Sequence, residues 1–319
     1  MRPILFLSLF LLFINFVEGL DPSKKIIQYG HQIYQSEQGL PQNSVTAMTQ
    51  TRDGYIWLGT QGGLARFDGV RFITYDIKNA ALKNNDVLGL AEDREGGLWI
   101  GTYGGGLAYL KDGKIRNFGT KEGMSSTTIR CLFYDHDGNL WIGTRSGGLN
   151  RFANGKFTTF TSHDGLISES IYEIEETGEG IWIGTDHGLN LFQNGKFKSF
   201  TTADGLPHNT VRSLFADSNH NLWIGTDAGL TLRRDQAFRK TFTTANGLSN
   251  GTIRAIRQDH DGNLWIGTDG GLNRLQNGHF ESFTSANDLS HDSVNTLFED
   301  REGNLWIGTD GGGVNQLKD

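Results

Sequence analysis

The sequence predicts an all-β protein, a seven-bladed β-propeller with four-stranded blades, and three observations predict it. One Trp-centred motif recurs seven times, its copies are almost evenly spaced, and each copy holds four short apolar runs separated by turn signals. The motif is Trp-(Ile/Leu)-Gly-Thr, and it contains every tryptophan of the chain: Trp57, Trp99, Trp141, Trp182, Trp223, Trp265 and Trp306. They stand 42, 42, 41, 41, 42 and 41 residues apart. So regular a period marks a repeat architecture, and four antiparallel strands in about 42 residues make one propeller blade. No helical periodicity separates the runs, which sets aside a parallel sheet with crossover helices.

The chain opens on a different kind of segment. Residues 1–19 read as a cleaved export signal: Arg2 is the basic residue, residues 4–17 form an apolar run broken only by Ser8 and Asn15, and Val17-Glu18-Gly19 ends it. The run is short for a membrane span of about 20 residues. Residues 20–30 are a lead-in, and the propeller occupies residues 31–319. The expected location is periplasmic or secreted, or membrane-tethered if the signal stays uncleaved or the chain continues past residue 319. With Cys131 the sole cysteine, no intramolecular disulfide can form, so stability must come from the core. The formal net charge is −7, which argues against a nucleic acid partner bound through a basic surface.

Within the third unit the four runs are 128–134, 140–144, 148–152 and 156–161. The turn between the last two is Ala153-Asn154-Gly155, and Asn-Gly favours a tight hairpin because both residues tolerate positive φ. The Trp is expected to cover the face of the neighbouring blade, and the Gly after it to let that blade approach closely. The seventh unit stops at Asp319, after its third strand. Residues 31–36 precede Gln38-Gly39-Leu40 as 157–162 precede Asp164-Gly165-Leu166. The N-terminal strand is therefore expected to complete the seventh blade and close the ring.

These units resemble two-component regulator propeller repeats, most plainly in LPQNSVTAMTQTRDGYIWLGTQGGLARFDGVRF (40–72) and GNLWIGTDGGLNRL (262–275). The resemblance implies a periplasmic ligand-sensing region of a hybrid histidine kinase or diguanylate cyclase, non-catalytic in itself. It further implies an extracellular ligand such as an oligosaccharide and a membrane signalling partner. Proteins of that kind continue into a β-sandwich, a membrane helix and a kinase or cyclase. None of these is present in residues 1–319, so the output domain is expected elsewhere.

Positions that vary between copies on one face are where a ligand site belongs. Just after the first Val or Ile of the inner strand stand Thr46, Leu88, Arg130, Tyr172, Arg212, Arg254 and Asn295. These should lie near the channel mouth. Arg130, Tyr172, Arg212 and Arg254 are the ligand-binding candidates: guanidinium forks suit carboxylate, phosphate or sugar hydroxyls, and a phenol ring offers a stacking face. The competing expectation is that each Arg pairs with a nearby carboxylate such as Glu169 or Asp292. The turn after the Trp motif adds Gln61, Tyr103, Arg145, Asp186, Asp227, Asp269 and Asp310. Tyr103 and Arg145 join the candidates, and the four Asp are expected to bond the turn backbone.

Asp135-His136-Asp137-Gly138 and Asp259-His260-Asp261-Gly262 start like calcium loops but lack the distal carboxylate, so hairpin turns explain them. No metal and no cofactor is expected. No nucleophile elbow, zinc-protease pair or phosphate loop occurs. Two other function classes stay open: a propeller enzyme of lyase or hydrolase type, using Glu173 with His187 or His208, and a protein-interaction platform.

Overall fold

The computed structural model describes residues 19–319; residues 1–18, nearly all of the segment read as an export signal, lie outside the described residues. Seven antiparallel sheets of four strands each follow one another around a ring. In the third blade the strands are Ile129–Tyr134, Leu140–Thr144, Leu149–Ala153 and Lys156–Phe160, within one residue or so of the sequence reading. Closure is also as expected. The seventh sheet runs Gly30–Tyr34, Val314–Lys318, Leu305–Thr309, Val294–Glu299, with Gly30 opposite Lys318 and Tyr34 opposite Val314.

The Trp motif forms the second strand of every blade. Six of the seven indoles are at most 6% exposed, Trp223 being the exception. Each packs against the blade that follows: Trp265 meets Leu297 and Leu305 of blade seven, and Trp306 meets Leu58 and Ala65 of blade one. The glycine of the motif keeps that approach close. A Cβ on Gly143 would lie 2.7 Å from the branched side chain of Ile171 in blade four, a contact backbone and side chain could not both absorb.

The indole nitrogen is tied down by the turn before it. Asp135, Asp217, Asp259 and Asp300 accept from Nε1 of their own blade's Trp at 2.7, 2.9, 2.7 and 2.6 Å. The same carboxylates hold the Asn two residues ahead of the Trp, through both its backbone and its side-chain nitrogen. The two Asp-His-Asp-Gly segments are thus hairpin turns that clamp a Trp. Blades one and four substitute Thr51 and Thr177, at 2.9 and 3.0 Å. In blade two Trp99 Nε1 is buried with no partner among the described residues.

Blades are stapled to one another on the face carrying these hairpin turns. The backbone N–H of Ser218 donates to Gln258, that of His260 to Glu299 and that of Arg301 to Gln50, at 3.0, 3.1 and 2.9 Å. The last of these joins blade seven to blade one. Residues 20–29 of the lead-in lie along blade six, with Leu20, Ile26 and Tyr29 buried in the core shared by blades six and seven.

Candidate functional site at the channel mouth

The inner strands carry one irregularity each, and it falls at the same place in all seven. The register slips between Val45 and Ala47, Val87 and Gly89, Ile129 and Cys131, Ile171 and Glu173, Val211 and Ser213, Ile253 and Ala255, and Val294 and Thr296. The residue skipped is the varying one: Thr46, Leu88, Arg130, Tyr172, Arg212, Arg254 and Asn295. A bulge residue leaves the ladder and has its side chain re-aimed, so the scaffold presents one free position per blade.

What fills those positions divides the ring. In blades seven and one the side chains turn back to backbone: Asn295 donates to the Val45 carbonyl at 3.4 Å, and Thr46 to the carbonyls of Gly59 (3.0 Å) and Val87. Leu88 of blade two has nothing polar to offer. Blades three to five form a connected cluster. Arg130 lies over the Tyr172 ring, 4.2 Å from its centroid, and Arg212 lies 5.1 Å from the same centroid. Two cations flanking one ring is a cation–π arrangement that fixes the phenol between them. Arg130 also donates to Ser170 Oγ at 3.1 Å.

Carboxylates partner two of the three arginines, though not the ones expected. Arg212 forms a two-pronged pair with Asp227, its Nη2 at 3.1 Å from Oδ2, and hydrogen bonding to that carboxylate raises the Arg212 pKa further. Arg254 pairs with Asp269, which Ser293 also approaches at 3.1 Å. Glu169 and Asp292 are used elsewhere, holding the hydroxyls of Ser162 and Ser285. The aspartates after the Trp motif therefore serve side chains of the same face rather than the turn backbone. Asp186 takes Ser168, and Asp310 takes Ser44 at 2.9 Å. Tyr103 and Arg145 come together as well, the guanidinium 5.4 Å from the ring and bonded to its hydroxyl. Tyr103 also bridges to Thr128, two residues before Arg130.

Below the mouth the channel holds a cavity of about 280 Å³, lined by Thr46, Glu173, Glu175, Arg254, Arg257 and Asn295 among others. Sequence reasoning gave Glu173 only an enzymatic role and missed Glu175 and Arg257. Burial, then the Glu175 charge, pushes the Glu173 carboxyl up to about 8, and burial pushes Glu175 up to about 7. The same desolvation lowers Arg257. A signal existed in the repeat. At the position of Glu173 the other blades carry Ala47, Gly89, Cys131, Ser213, Ala255 and Thr296, all small. The histidines proposed to work with Glu173 are held by their own turns: His187 bonds Asp186 at 2.8 Å, and His208 accepts from the Thr210 N–H at 3.0 Å.

Seven regular blades, a bulge residue per blade and a polar sector at one mouth can now be set beside known proteins. The two component regulator propeller model matches residues 39–62, 81–104, 123–146, 205–228, 247–270 and 288–311. Six of the seven blades carry two component regulator propeller repeats. These six stretches cover every blade's Trp motif except that of blade four. No curated protein matches the chain.

Among solved structures, it is similar to the extracellular domain of a putative hybrid two component system from B. thetaiotaomicron, at 28% identity and a TM-score of 0.80. That match covers 91% of this chain and 42% of the other. The extracellular domain of a putative one component system from the same organism follows at 26% identity and TM-score 0.76, covering 91% and 40%. The chain thus spans about two fifths of those structures. Virginiamycin B lyase from Staphylococcus aureus shares the fold at 13% identity and TM-score 0.73, covering 92% and 100%. Among the described residues no helix is long and apolar enough to cross a membrane, and no three His, Cys, Asp or Glu gather as metal ligands.

Proposed function

We propose that this propeller is the extracytoplasmic ligand-binding part of a two-component or related signalling system. It reads a ligand at the channel mouth and catalyses nothing itself. Its likeness to extracellular domains of a hybrid two component system and a one component system supports the sensor role, and the export signal read in residues 1–19 agrees with that placement. The observation that carries the site is the Arg130–Tyr172–Arg212 stack. Three bulge positions on consecutive blades hold a ring between two guanidinium groups, with the Arg254–Asp269 pair beside them.

Such a surface suits a ligand rich in hydroxyl or anionic oxygen, of which an oligosaccharide is the leading class. Arg130 is the free fork, since it has a serine and a ring for company but no carboxylate. Arg212 and Arg254 can exchange their aspartates for ligand oxygens. Tyr103 and Arg145 extend the same face. The signal passes to an output domain through a membrane signalling partner.

The test is calorimetric titration of the purified chain against neutral and acidic oligosaccharides, repeated with Arg130→Ala/Arg212→Ala/Arg254→Ala. A ligand found with the native protein should bind the triple variant at least about tenfold more weakly, which is roughly 1.4 kcal/mol, while the melting temperature moves little. Undiminished binding by a folded triple variant would remove this face as the site.

A further inference from the structure

The channel layer level with the Trp motif alternates through five consecutive blades. On the inner strand, the residue paired with the Trp is Phe133, Glu175, Phe215, Arg257 and Phe298 in blades three to seven. The two charged residues thus stand two blades apart, with a phenylalanine on either side of each. The Arg257 guanidinium lies 5.7 Å from the Phe215 ring centroid and 6.0 Å from that of Phe298. Two residues nearer the mouth, Glu173 is the only side chain larger than threonine at its position in the seven blades. Its small neighbours leave open the space that it lines.

These charges do not neutralise one another by contact. Arg212, Arg254 and Arg233 hold Asp227, Asp269 and Glu179, but among the described residues Arg257 makes neither an ion pair nor a hydrogen bond. Glu175 accepts from the Glu176 N–H at 3.1 Å, and no cation pairs with it or with Glu173. Burial raises both carboxyls and lowers Arg257, as happens when charged groups leave water with no counter-charge in contact.

All three groups face the one cavity of about 280 Å³. Glu173 and Glu175 line it from blade four, Arg254 and Arg257 from blade six, and Phe133 and Phe215 add apolar wall. Arg254 already holds Asp269, which leaves Arg257 as the open fork. Pockets for drug-sized ligands run from roughly 300 to 1,000 Å³, so this one admits a small metabolite and excludes an oligosaccharide. A guanidinium fork matches a carboxylate in both shape and charge, and a pair of carboxyls matches an ammonium. Water alone would leave the three groups desolvated without a charge partner, whereas a zwitterion supplies both partners at once.

We propose that this cavity is a binding site for a small amino acid, its carboxylate on Arg257, its ammonium on Glu173 and Glu175, and its carbon chain against Phe133 and Phe215. The ligand bridges blades four and six across the inner strand of blade five. The site lies deeper in the channel than the Arg130–Tyr172–Arg212 stack and shares no residue with it. The proposal therefore stands independently of the ligand reading at the mouth.

The test is calorimetric titration of the intact chain near pH 7 with glycine, L-alanine, L-leucine, β-alanine and γ-aminobutyrate. Each is compared with the acid that lacks its amino group and with the amine that lacks its carboxyl group. At least one amino acid should bind saturably, and roughly tenfold or more tighter than either of its halves. Arg257→Gln should remove the advantage over the amine, and Glu173→Gln/Glu175→Gln the advantage over the acid. A merely structural role would weaken amino acid, acid and amine alike. Circular dichroism melts establish that each variant is folded; if Arg257→Gln is not, Arg257→Lys, which keeps the charge without the fork, gives the same comparison with a smaller loss. The proposal is overturned if none of these amino acids binds saturably. It is equally overturned if an acid or an amine binds as tightly as its amino acid, or if the folded variants keep both preferences.

Discussion

Blade six and blade four are the same sheet with opposite allocations of polar groups. In blade six Asp259 holds the Trp265 indole and both nitrogens of Asn263, the inner strand carries Ala255 opposite the motif glycine, and the lead-in seals the outside. Blade four holds its indole by the Thr177 hydroxyl alone and puts Glu173 opposite the glycine, with Glu175 two residues on. The family match includes blade six and passes over blade four. The match passes over the blade that puts two carboxyl groups in the channel and holds its indole by a hydroxyl, yet blade six keeps the repeat and still lends Arg254 and Arg257 to the same cavity. The Trp clamp and the channel-facing positions therefore vary independently, the first bearing on stability and the second on the candidate working surface.

The largest effect should come from breaking blade six. Asp259→Ala removes three hydrogen bonds at once and leaves the Trp265 Nε1 and the Asn263 amide buried without an acceptor. Orphaned buried donors cost about 1–3 kcal/mol each, with partial relief from water. We expect a loss of roughly 3 kcal/mol in urea unfolding, with the channel-mouth ligand affinity unaltered. A loss below about 1 kcal/mol would show that the clamp follows from the blade rather than holding it.

Blade four should respond in the opposite direction, and with pH. The Glu173 carboxyl ionises near 4.5 when unfolded and at about 8 when folded. The native state therefore holds a proton that the unfolded chain lacks between those values. By linkage, the contribution to stability is greatest below the lower value and is lost as pH rises through about 8. Glu173→Gln removes the ionisable group. It should stabilise the protein at pH 8.5 by about 1–2 kcal/mol, less than the full shift implies because channel water screens the charge, and do little at pH 5. Melting temperatures of both proteins across that range give the answer. Parallel curves would mean that Glu173 is as ionised in the fold as outside it.

How much of this was legible beforehand follows the same division. Strands, turns and the closing role of residues 31–36 came from agreement between copies, because turn chemistry and periodicity act locally. The seven varying residues proved to be the seven bulges, since a position one residue past a fixed apolar anchor must leave the ladder in every copy. Glu175 and Arg257 escaped because only one inner-strand position per blade was compared, whereas the channel wall also takes the residues that follow it. Pairing of an arginine with a neighbouring carboxylate was foreseen, but Glu169 and Asp292 were the examples offered where Arg212 and Arg254 use Asp227 and Asp269, because the Asp after each motif was expected to serve its own turn. The docking of residues 19–29 on Arg274 had no local signature at all. It is a tertiary match between segments about 250 residues apart in sequence.

The smallest effect tests how little blade four depends on its own clamp. Thr177→Val keeps the shape and removes the hydroxyl that accepts from Trp182 Nε1 at 3.0 Å and from the Glu179 N–H at 3.1 Å. The indole is fully buried, so an orphaned donor results. Blade two already lives with one, since Trp99 Nε1 has no partner while its ring is 6% exposed. The half-buried Glu179 N–H can turn to water, which leaves one orphaned donor at a cost of about 1–3 kcal/mol, and we expect Thr177→Val to fall at the low end of that range in urea unfolding. A cost approaching that of Asp259→Ala would erase the contrast between the two blades. The clamp would then be equally needed everywhere, and the drift of blade four away from the repeat would need a cause other than relaxed demands on its stability.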